Sequence, residues 1–412
     1  MTNFIFILFP FGYRLCYNYT MKILFLEWKS FGNEDMIAAF EELGHTVYRI
    51  PFSNKEVHHD DAIEAELTKS IETYAPDFVF SFNYFPIVSL VCKAVQVKYV
   101  SWVYDSPYVL LYSYTVIFPC NYIFVFDKEL CVQFQKAGIP TIHYLPLAAN
   151  TERLSSMTDF ASFHQSKWSN QTGIAFIGSL YTEKHNFYDR LSSKGGISSY
   201  TRGYLEGIMS AQKQVYGYNF IQEVLTPEII QDMQRILPMT PDATSVASTE
   251  YLFAQYVINR QLTAIERKEL LTEISERWAY DLYTPDASLQ LPNCHNHGPI
   301  DYYDMAPYVF KCAKINLNIT LRSIHSGIPL RAFDILGAGG FLLTNYQADF
   351  DDCYIPGEDY VSYESSEDMC CKIDYYLTHE KERREIADNG FHKTARSHTY
   401  KDRVSEILHT IS

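Results

Sequence analysis

From Met21 onward the sequence alternates short apolar runs with amphipathic stretches, and this alternation restricts the possible folds more than any other feature. The apolar runs of the first third are KILFLEW, TVYRIPF, DFVFSFN, KYVSWVYD, NYIFVFD and TIHYLPL. Nearly continuous apolar strands separated by helices are typical of a parallel sheet covered on both faces. We therefore predict a doubly wound α/β domain over residues 21–150.

Two amphipathic stretches of this domain show where helices begin and end. NEDMIAAFEELGH predicts a helix with Asn33 as a possible N-cap and Gly44 as its stop. DDAIEAELTKSIETYAP predicts a second helix with apolar positions at Ile63, Leu67 and Ile71.

A second α/β unit begins at GIAFIGSL, after a polar linker, and we place it at residues 170–400. Its further strands are WAYDLYT, KINLNIT and GFLLTN, with DYVSYES as a weaker candidate. About residues 181–277 have little strand character, whereas PEIIQDMQRILP and TAIERKELLTEISERW show helical spacing of apolar residues. The prediction is a helical insertion in the second domain, with residues 401–412 as the end of a C-terminal helix.

Charge and composition exclude several classes of protein. A net charge of −15, with no basic run longer than KERR, argues against a nucleic-acid surface. Nine scattered cysteines without C-x-x-C spacing favour a reducing, cytoplasmic location. No stretch reaches about 18 apolar residues, so membrane contact is expected to be peripheral at most. Residues 1–20 are interpreted as a start codon placed too early or a flexible leader rather than a membrane-targeting segment.

Polar residues follow the predicted strands, and in doubly wound sheets ligands bind at this edge. Those of the first domain are acidic or amide, and those of the second are small and hydroxylic. They are Glu27, Asn83, Asp105 and Asp127, and then Gly178, Ser179, Asn318, Thr320, Thr344 and Asn345. One wall of a cleft could thus hold an acceptor and the other a phosphate, although turns favour these residue types in any case.

Two of these strand ends carry specific hypotheses. Asp105 in SWVYDSPY could accept a proton from an attacking hydroxyl, or it could simply hydrogen-bond its own turn. Gly178 and Ser179 in FIGSLYTEK could let a phosphate approach the backbone. Neither a P-loop nor a dinucleotide-binding fingerprint is present.

Three clusters look like metal sites but are interpreted otherwise. CHNH at residues 294–297 lacks a second ligand pair at zinc spacing and is predicted to be a loop. DFDD at residues 349–352 is predicted to be a solvated loop, and HHDD at residues 58–61 the approach to a helix. We therefore predict neither a metal nor another cofactor.

The run KINLNITLRSIHSGIPLRAFDILGAGGFLLTNYQADF resembles the C-terminal module of group-one glycosyltransferases of the spore-maturation (CgeB-type) kind. Supporting stretches are IHYLPLAAN, IAFIGSL, YIPGEDYVSYES and the closing ERREIADNGFHKTARSHTYKDRV. MKILFLEW and SWVYDSP resemble the domain often fused to that module. The resemblance implies a GT-B fold, in which two Rossmann-like domains face each other and the second binds a nucleotide-diphosphate sugar.

Many relatives of this fold carry two glutamates, seven residues apart, that contact the sugar and the ribose. Here the resemblance places Ser326 at the first position and Asp334 at the second. A carboxylate at the second position still suits a ribose contact, whereas Ser326 leaves the sugar contact and the stereochemical outcome open.

The residues around this segment favour an anionic ligand independently. Pro329 suits the first helical position, so Ser326, Gly327 and Ile328 should offer free N–H groups at a helix start. Arg331 lies in the first turn, where a cation opposes the helix dipole unless it meets an anion such as a diphosphate. Arg322 could join it. The alternative is an Arg331–Asp334 ion pair along the helix surface.

The leading hypothesis is a cytoplasmic, metal-independent glycosyltransferase that moves a sugar from a nucleotide-diphosphate sugar to an unknown hydroxyl acceptor. Asp105 is the candidate base, and the donor side comprises Gly178, Ser179, Asn318, Arg322, Ser326, Gly327, Arg331, Asp334, Thr344 and Asn345. A nucleotide-sugar epimerase or hydrolase of the same architecture, and a non-catalytic sugar-nucleotide or glycan binder, remain as alternatives.

Overall fold

The structure is a computed structural model, and it describes residues 20–53, 60–182, 186–193 and 195–412. The predicted leader of residues 1–20 therefore lies outside the described residues, apart from Thr20. The first half of the HHDD stretch is also outside them.

The first domain is built on a six-stranded sheet in which every pair of neighbouring strands is parallel. Its strands are β1 Lys22–Glu27, β2 Thr46–Pro51, β3 Phe78–Phe82, β4 Lys98–Val103, β5 Asn121–Val125 and β6 Ile142–Tyr144, in the order β2-β1-β3-β4-β5-β6. The helices are α1 Asn33–Glu42, α2 Asp61–Tyr74, α3 Pro86–Val95 and α4 Lys128–Lys136, with 3₁₀ turns Val109–Tyr112 and Tyr114–Ile117. All six predicted strands are confirmed.

Two helix starts in this domain show how local chemistry sets the boundaries. The carboxylate of Asp60 accepts hydrogen bonds from the N–H groups of Ala62 and Ile63 and so caps α2. The predicted cap Asn33 is instead the first helical residue, because its amide donates to the Trp28 carbonyl. Gly44 follows α1 with a φ of +87°, a conformation that glycine adopts without strain.

The second domain contains a second six-stranded parallel sheet. Its strands are β7 Ile174–Ile177, β8 Tyr280–Tyr283, β9 Cys294–Asn296, β10 Ile315–Asn318, β11 Leu342–Asn345 and β12 Val361–Tyr363, in the order β12-β11-β10-β7-β8-β9. In chain order within the domain this is the Rossmann arrangement 3-2-1-4-5-6, which has a topological switch between β7 and β10.

Helices cover this sheet and connect it to the first domain. They are α5 Thr151–Ser156, α6 Phe160–Gln165, α7 Phe187–Ser192, α8 Ser199–Lys213, α9 Pro227–Ile236, α10 Thr249–Leu252, α11 Asn259–Arg277, α12 Ala306–Cys312, α13 Leu330–Gly337, α14 Phe350–Cys353, α15 Ser366–Thr378, α16 Glu380–Ser397 and α17 Tyr400–Ile411. A π-helical segment, Phe253–Ile258, joins α10 to α11.

The CHNH stretch was predicted to be a loop, and that prediction is wrong. Cys294–Asn296 forms the edge strand β9, and His297 follows it. His297 Nε2 lies 2.7 Å from Oδ1 of the fully buried Asp281, which also accepts hydrogen bonds from Thr172. The second histidine of the motif therefore satisfies a buried carboxylate and helps fix β8 beside the edge strand.

The predicted helical insertion has a hydrophobic core of its own, with Leu205, Met233 and Phe253 near its centre. The last helix, α11, belongs to two cores. Leu262 near its start packs in the insertion core, whereas Leu271 near its end packs against the second sheet. The insertion is thus tied rigidly to the sheet by a continuous helix.

The insertion also reaches the first domain, which the sequence did not indicate. The N–H of Tyr114 donates to the Thr244 carbonyl at 3.0 Å, and the N–H of Val246 donates to the Tyr112 carbonyl at 2.7 Å. The rings of Tyr112 and Tyr251 lie 4.3 Å apart. The helical insertion therefore bridges the two domains on one side of the molecule.

The C-terminal helix bridges the domains on another side. Val404 and Ile407 of α17 share a hydrophobic core with Phe25 and Phe40 of the first domain. The guanidinium of the buried Arg403 donates to the carbonyls of Pro146 and Leu147. Residues 401–412, predicted as the end of a helix, are most of a 12-residue helix that returns to the first domain.

Candidate functional site

The topological switch of the second sheet opens between the ends of β7 and β10. Gly178 and Ser179 follow β7, and Asn318 ends β10. These strand ends meet the first turn of α13. Pro329 was predicted to be the first residue of this helix, but it is the N-cap, and the helix begins at Leu330. Three separately predicted pieces of the sequence therefore come together at the place where such sheets bind ligands.

Arg331 points from α13 towards the end of β7. Its Nη1 donates to the Asn318 Oδ1 at 3.2 Å, and its guanidinium carbon lies 5.7 Å from the centre of the Phe176 ring. Its buried Nε has no hydrogen-bond partner among the described residues. In the described part of the chain Arg331 forms no ion pair with Asp334, so the alternative of a helix-surface pair is not what the structure shows.

A second guanidinium lies beside the first. Arg267 of α11 is 3% exposed, and its guanidinium donates to the backbone carbonyls of Ser179 and Ile319. It thereby holds together the loops that follow β7 and β10. Burial lowers the pKa of Arg267 to about 10, and the charge of Arg331 contributes to this lowering. Arg267 still carries its proton at neutral pH.

The absence of a side chain at Gly178 leaves room for the Arg331 guanidinium. A methyl group at this position would lie 2.9 Å from Arg331 Nη2 and 3.3 Å from the Phe176 ring. Any larger residue would therefore push Arg331 out of its place. The backbone at the end of β7 therefore packs directly against the Arg331 guanidinium.

A buried polar network connects Arg331 to the ends of β10 and β11. The amide nitrogen of Asn318 donates to the hydroxyls of Thr320 and Thr344, and its oxygen accepts from Arg331. The Asn345 side chain accepts from the N–H of Thr320 at 2.8 Å. Asn318, Thr344 and Asn345 are each no more than 4% exposed. These predicted donor-site residues are gathered here, and in this structure they orient Arg331 and the loop after β10.

Arg322 was predicted to join Arg331, but the structure places its guanidinium elsewhere. Its Nε donates to the Glu266 carboxylate at 2.7 Å, its Nη2 contacts the same carboxylate, and its Nη1 donates to the Val215 carbonyl. Because both partners are buried, removal of either one would leave an unpaired charge away from water. Arg322 fastens the loop after β10 to the helical insertion.

Ser326 and Gly327 lie in the contact between the two domains. The Ser326 hydroxyl donates to Asp127 Oδ1 at 3.0 Å and accepts from the N–H of Glu129 at 2.9 Å. The Ser326 N–H, expected to be free, also donates to Asp127. At Gly327 a methyl group would lie 2.8 Å from the Phe126 ring. These residues let the loop before α13 dock on the N-terminus of α4.

The DFDD stretch was predicted to be a solvated loop, and that prediction is wrong. Asp349 and Phe350 are buried, Phe350–Cys353 forms the helix α14, and within the stretch only Asp351 and Asp352 are exposed. Asp349 belongs to the same interdomain contact. Asp349 is 2% exposed, and its carboxylate accepts from the N–H of Lys128 at 3.1 Å. Burial raises the pKa of Asp349 to about 6. Asp352 is more exposed and pairs with the Lys128 ammonium at 2.7 Å.

Asp334 occupies a small enclosed space on the other side of α13. Its Oδ2 accepts from the Tyr302 hydroxyl at 2.8 Å, and Arg153 and Tyr400 line the same space. Burial raises the pKa of Asp334 to about 7, although the Tyr302 hydrogen bond and the nearby Arg153 act in the opposite direction. The carboxyl group is therefore poised between its two protonation states near neutral pH.

Asp105 projects from the first domain, with its side chain exposed. Asn83, at the end of β3, donates to Asp105 Oδ2 at 2.6 Å, and its own oxygen accepts from the N–H of Tyr104. The next residue, Ser106, donates to the Ser323 carbonyl of the second domain at 2.9 Å. Asp105 thus lies on an oriented loop at the rim of the interdomain cleft.

Arg267 was not predicted as a site residue, although the sequence contains a signal for it. Arg267 shares one face of α11 with Leu270, Leu271 and Ile274, at the spacing that marks the buried stripe of a helix. A charged residue on such a stripe is seldom buried without a partner. Tyr302, which holds Asp334, gave no comparable signal because it precedes α12 in an irregular segment.

No group of three or more His, Cys, Asp and Glu side chains is arranged to hold a metal ion within the described ranges. Across the same residues, no helix combines the length and the apolar character needed to cross a bilayer.

Residues 260–409 match the family described as "Glycosyl transferase-like". This segment runs from α11 to α17 and contains Arg267, Arg331 and five strands of the second sheet, β8 to β12. The match confirms the predicted glycosyltransferase class for this part of the chain. No curated protein matches the chain significantly.

Several solved structures share the arrangement of the whole chain. A glycosyltransferase from Rickettsia africae has a TM-score of 0.51 at 10% identity, covering 96% of this chain and 98% of that one. Anabaena Alr3699/HepE in complex with UDP-glucose has a TM-score of 0.53 at 11% identity, with 95% and 99% covered. A UDP-forming α,α-trehalose-phosphate synthase from Burkholderia vietnamiensis has a TM-score of 0.52 at 9% identity, with 95% and 99% covered. This likeness confirms the predicted fold, two Rossmann-like domains in the GT-B arrangement.

Proposed function

We propose that this protein transfers a glycosyl group from a nucleotide-diphosphate sugar to a hydroxyl acceptor. The glycosyl transferase-like match and the GT-B fold support this class of reaction. The quoted motifs extend the proposal to a relative of the spore-maturation kind that acts in the cytoplasm. Two structural neighbours are described with UDP-glucose or as UDP-forming, so UDP-glucose is the first donor to test.

One observation carries the proposal. Arg267 and Arg331 lie close together at the switch point, and neither has a carboxylate as a hydrogen-bond partner among the described residues. Buried charges are ordinarily paired, and this protein has a net charge of −15, so acidic partners are plentiful. Two neighbouring guanidinium groups without a hydrogen-bonded carboxylate, beside a glycine, suit a diphosphate, which would supply negative charge in direct contact with them.

The arrangement suggests a role for each wall of the cleft. As the bond between the anomeric carbon and the diphosphate oxygen breaks, its electron pair moves to that oxygen. Arg331 would stabilise this developing charge, with Arg267 adding positive potential and fixing the loop backbone. The acceptor oxygen forms the new bond to the anomeric carbon, and its proton would pass to Asp105, which Asn83 orients. Closure of the domains would exclude water.

The site residues then divide into contacts and supports. We propose Gly178, Ser179 and Arg331 as direct donor contacts, and Asn318, Thr344 and Asn345 as residues that position them. Asp334 is proposed to assist on the nucleoside side from its place on α13. The guanidinium groups supply positive charge that a divalent cation supplies elsewhere, so we propose a metal-independent reaction, in which EDTA leaves the rate unchanged.

Donor binding by Arg331 can be tested with Arg331→Gln. UDP-glucose should raise the melting temperature of the wild type, and the variant should lose this shift, since removing one charge-assisted contact costs about 2 kcal/mol. The melting temperature without ligand should change little, because Arg331 makes one side-chain hydrogen bond in the described structure.

The outcomes separate the candidates. A large loss of stability in ligand-free Arg331→Gln would assign Arg331 a structural role. No shift of the wild type with UDP-, GDP-, ADP- or dTDP-sugars would contradict the proposal. Isomerisation of the donor without an acceptor would favour an epimerase, and donor binding without any turnover would favour a binding protein.

A further inference from the structure

A second cavity lies between the helical insertion and the first domain. Its volume is about 520 Å³, within the range of small-molecule sites. The 3₁₀ turn at Val109 and Leu110 forms one wall, and Phe187, Met239, Leu252 and Tyr256 of the insertion form the other. The donor-side residues at the switch point do not line it.

The cavity adjoins the proposed catalytic end of the cleft. Val109 lies four residues after Asp105, so the chain cannot separate the two by more than about 14 Å. The Val109 N–H donates to the Tyr256 hydroxyl at 2.7 Å, which joins the two walls next to the Asp105 loop. A molecule with a hydroxyl at Asp105 could therefore extend into this cavity.

The lining chemistry defines what can enter. Apolar atoms make up most of the exposed lining, and the described lining residues include neither Lys, Arg nor His. The one carboxylate, Asp242, accepts from the N–H and the hydroxyl of Thr244 and so terminates its own turn. A phosphate or carboxylate group would find no cation among these lining residues, whereas an uncharged apolar group would displace water from an apolar surface.

Two exposed apolar residues follow lining residues of the cavity in the chain, Tyr114 after Ser113 and Val246 after Ser245. Val246 is 71% exposed and Tyr114 is 45% exposed, and both lie at the backbone contact between the insertion and the first domain. Exposed apolar side chains that extend a cavity are a feature of ligand-binding grooves.

We propose that this cavity binds an uncharged apolar aglycone, an alkyl or aryl group carried by the acceptor, and that the helical insertion is its binding element. The inference rests on the proposed glycosyltransferase function and adds the chemical class of the acceptor to it. The sugar or hydroxyl head would lie at Asp105, and the apolar tail would pass Val109 and Tyr256.

The test uses n-alkyl β-D-glucosides as probes, with binding to the full chain measured by calorimetry below their micellar concentrations. Each buried methylene should strengthen binding severalfold, so octyl glucoside should bind about tenfold more tightly than hexyl glucoside, and methyl glucoside far more weakly. Equal affinities across the series would overturn the inference.

Two variants locate the binding. Thr240→Trp, at an exposed lining position, fills the cavity and should weaken octyl glucoside binding at least about tenfold. Met239→Glu should weaken it more than the matched Met239→Gln, because only the former places a charge among apolar groups. Unchanged octyl glucoside binding in Thr240→Trp would place the alkyl chain elsewhere and contradict the inference.

The UDP-glucose melting shift separates this inference from the proposed function. If the shift persists in wild type and variants but chain length has no effect, the acceptor class is wrong and the glycosyltransferase proposal stands. If alkyl chains bind in the cavity but no nucleotide-sugar binds the protein, the assignment of the tail to an acceptor fails together with the proposed function.

Discussion

At the scale of single residues, the proposed donor site depends on the absence of a side chain at Gly178. Gly178→Ala would place a methyl group 2.9 Å from Arg331 Nη2, so the guanidinium must move. We expect donor affinity to fall at least about tenfold, because a displaced Arg331 loses its charge-assisted contact. The UDP-glucose titration measures this loss.

Gly173→Ala is the matched control for Gly178→Ala, since Gly173 immediately precedes the other end of β7. A methyl group there would meet the flexible Lys314 side chain at 3.3 Å and Leu377 at 3.4 Å, and neither belongs to the proposed site. Its donor affinity should match that of the wild type. Equal donor affinity in both alanine variants would show that the diphosphate does not bind at the end of β7 beside Arg331.

Asp334 gives a second prediction at this scale. Because burial raises the pKa of Asp334 to about 7, its charged form costs stability above that pH. Asp334→Asn keeps an acceptor for the Tyr302 hydroxyl, so the free energy of unfolding at pH 8 should rise by about 1–3 kcal/mol.

The gain in Asp334→Asn should shrink as the pH falls, because the folded wild type takes up its proton as pH falls through the raised pKa. Below the pKa of about 4 that an aspartate has in the unfolded chain, Asp334 is protonated in both the folded and the unfolded state, and the stability gain of Asp334→Asn vanishes. Chemical denaturation at pH 8 and pH 5 measures the difference. A gain that is equal at both pH values, or a loss at pH 8, would contradict this account.

The residue scale also shows what the sequence could predict. Arg331 could be found because a cation in the first turn of a helix is locally unfavourable, and that anomaly is visible in the chain itself. The position of Arg322 could not, since its partner Glu266 lies 56 residues away in the insertion. Pairings of this kind depend on packing between elements, which local patterns do not encode.

At the scale of elements, α8 shows a local mismatch between sequence and structure. Gly203 and Gly207 lie inside this helix on its exposed side, and a methyl group at either position would meet no atom within 4 Å. Replacing glycine by alanine in an exposed helix interior stabilises by about 1 kcal/mol. Gly203→Ala with Gly207→Ala should therefore raise the free energy of unfolding of the insertion by about 2 kcal/mol.

Hydrogen exchange of α8 and α9 is the measurement for the double variant, because it reports the insertion separately from the sheets. Gly207→Ser is a useful control, since serine has lower helix propensity than alanine and should give a smaller gain. Unchanged protection in the double variant would mean that α8 does not limit the opening of the insertion.

Element types were more predictable than element partners. All six strands of the first sheet have long apolar runs and were recognised, as was the weaker β12. β9 was missed because its three residues, Cys294–Asn296, are polar or small. The hydrogen bond of the adjacent His297 to Asp281 joins residues that are 16 positions apart, which a local pattern does not show. The helical insertion was recognised from its periodicity, but its contact with the first domain consists of backbone hydrogen bonds that carry no sequence signature.

At the scale of the whole molecule, several contacts hold the domains in their relative positions. They include the insertion on Tyr112 and Tyr114, the Ser326 loop on α4, α17 on the first domain, and the Ser106 hydroxyl on the Ser323 carbonyl. The donor and acceptor walls belong to different domains, so these contacts set the width of the cleft. Closure around a donor must preserve or replace them, and the Ser106–Ser323 contact lies next to the candidate base Asp105.

His398 lies at the base of the contact made by α17. Its Nδ1 accepts from Arg403 Nη2 at 2.7 Å, and its carbonyl accepts from the N–H of Ala149 at 3.1 Å. Burial, together with the charge of Arg403, lowers the pKa of His398 to about 4. The folded protein therefore holds this ring neutral and accepting, as the Arg403 hydrogen bond requires.

Acid should consequently weaken the contact between α17 and the first domain. Between about pH 6.5 and pH 4 the unfolded chain binds a proton on His398 that the folded chain does not, so stability falls as the pH falls. The contribution lost by pH 4 is about 2–3 kcal/mol. His398→Gln retains an acceptor for Arg403 but cannot titrate, so its stability should fall less over the same interval. The denaturation midpoints of both proteins are measured from pH 7 to pH 4, and the difference between them removes the effect of the groups that titrate in both. An identical pH dependence would show that protonation of His398 does not control how α17 joins the domains.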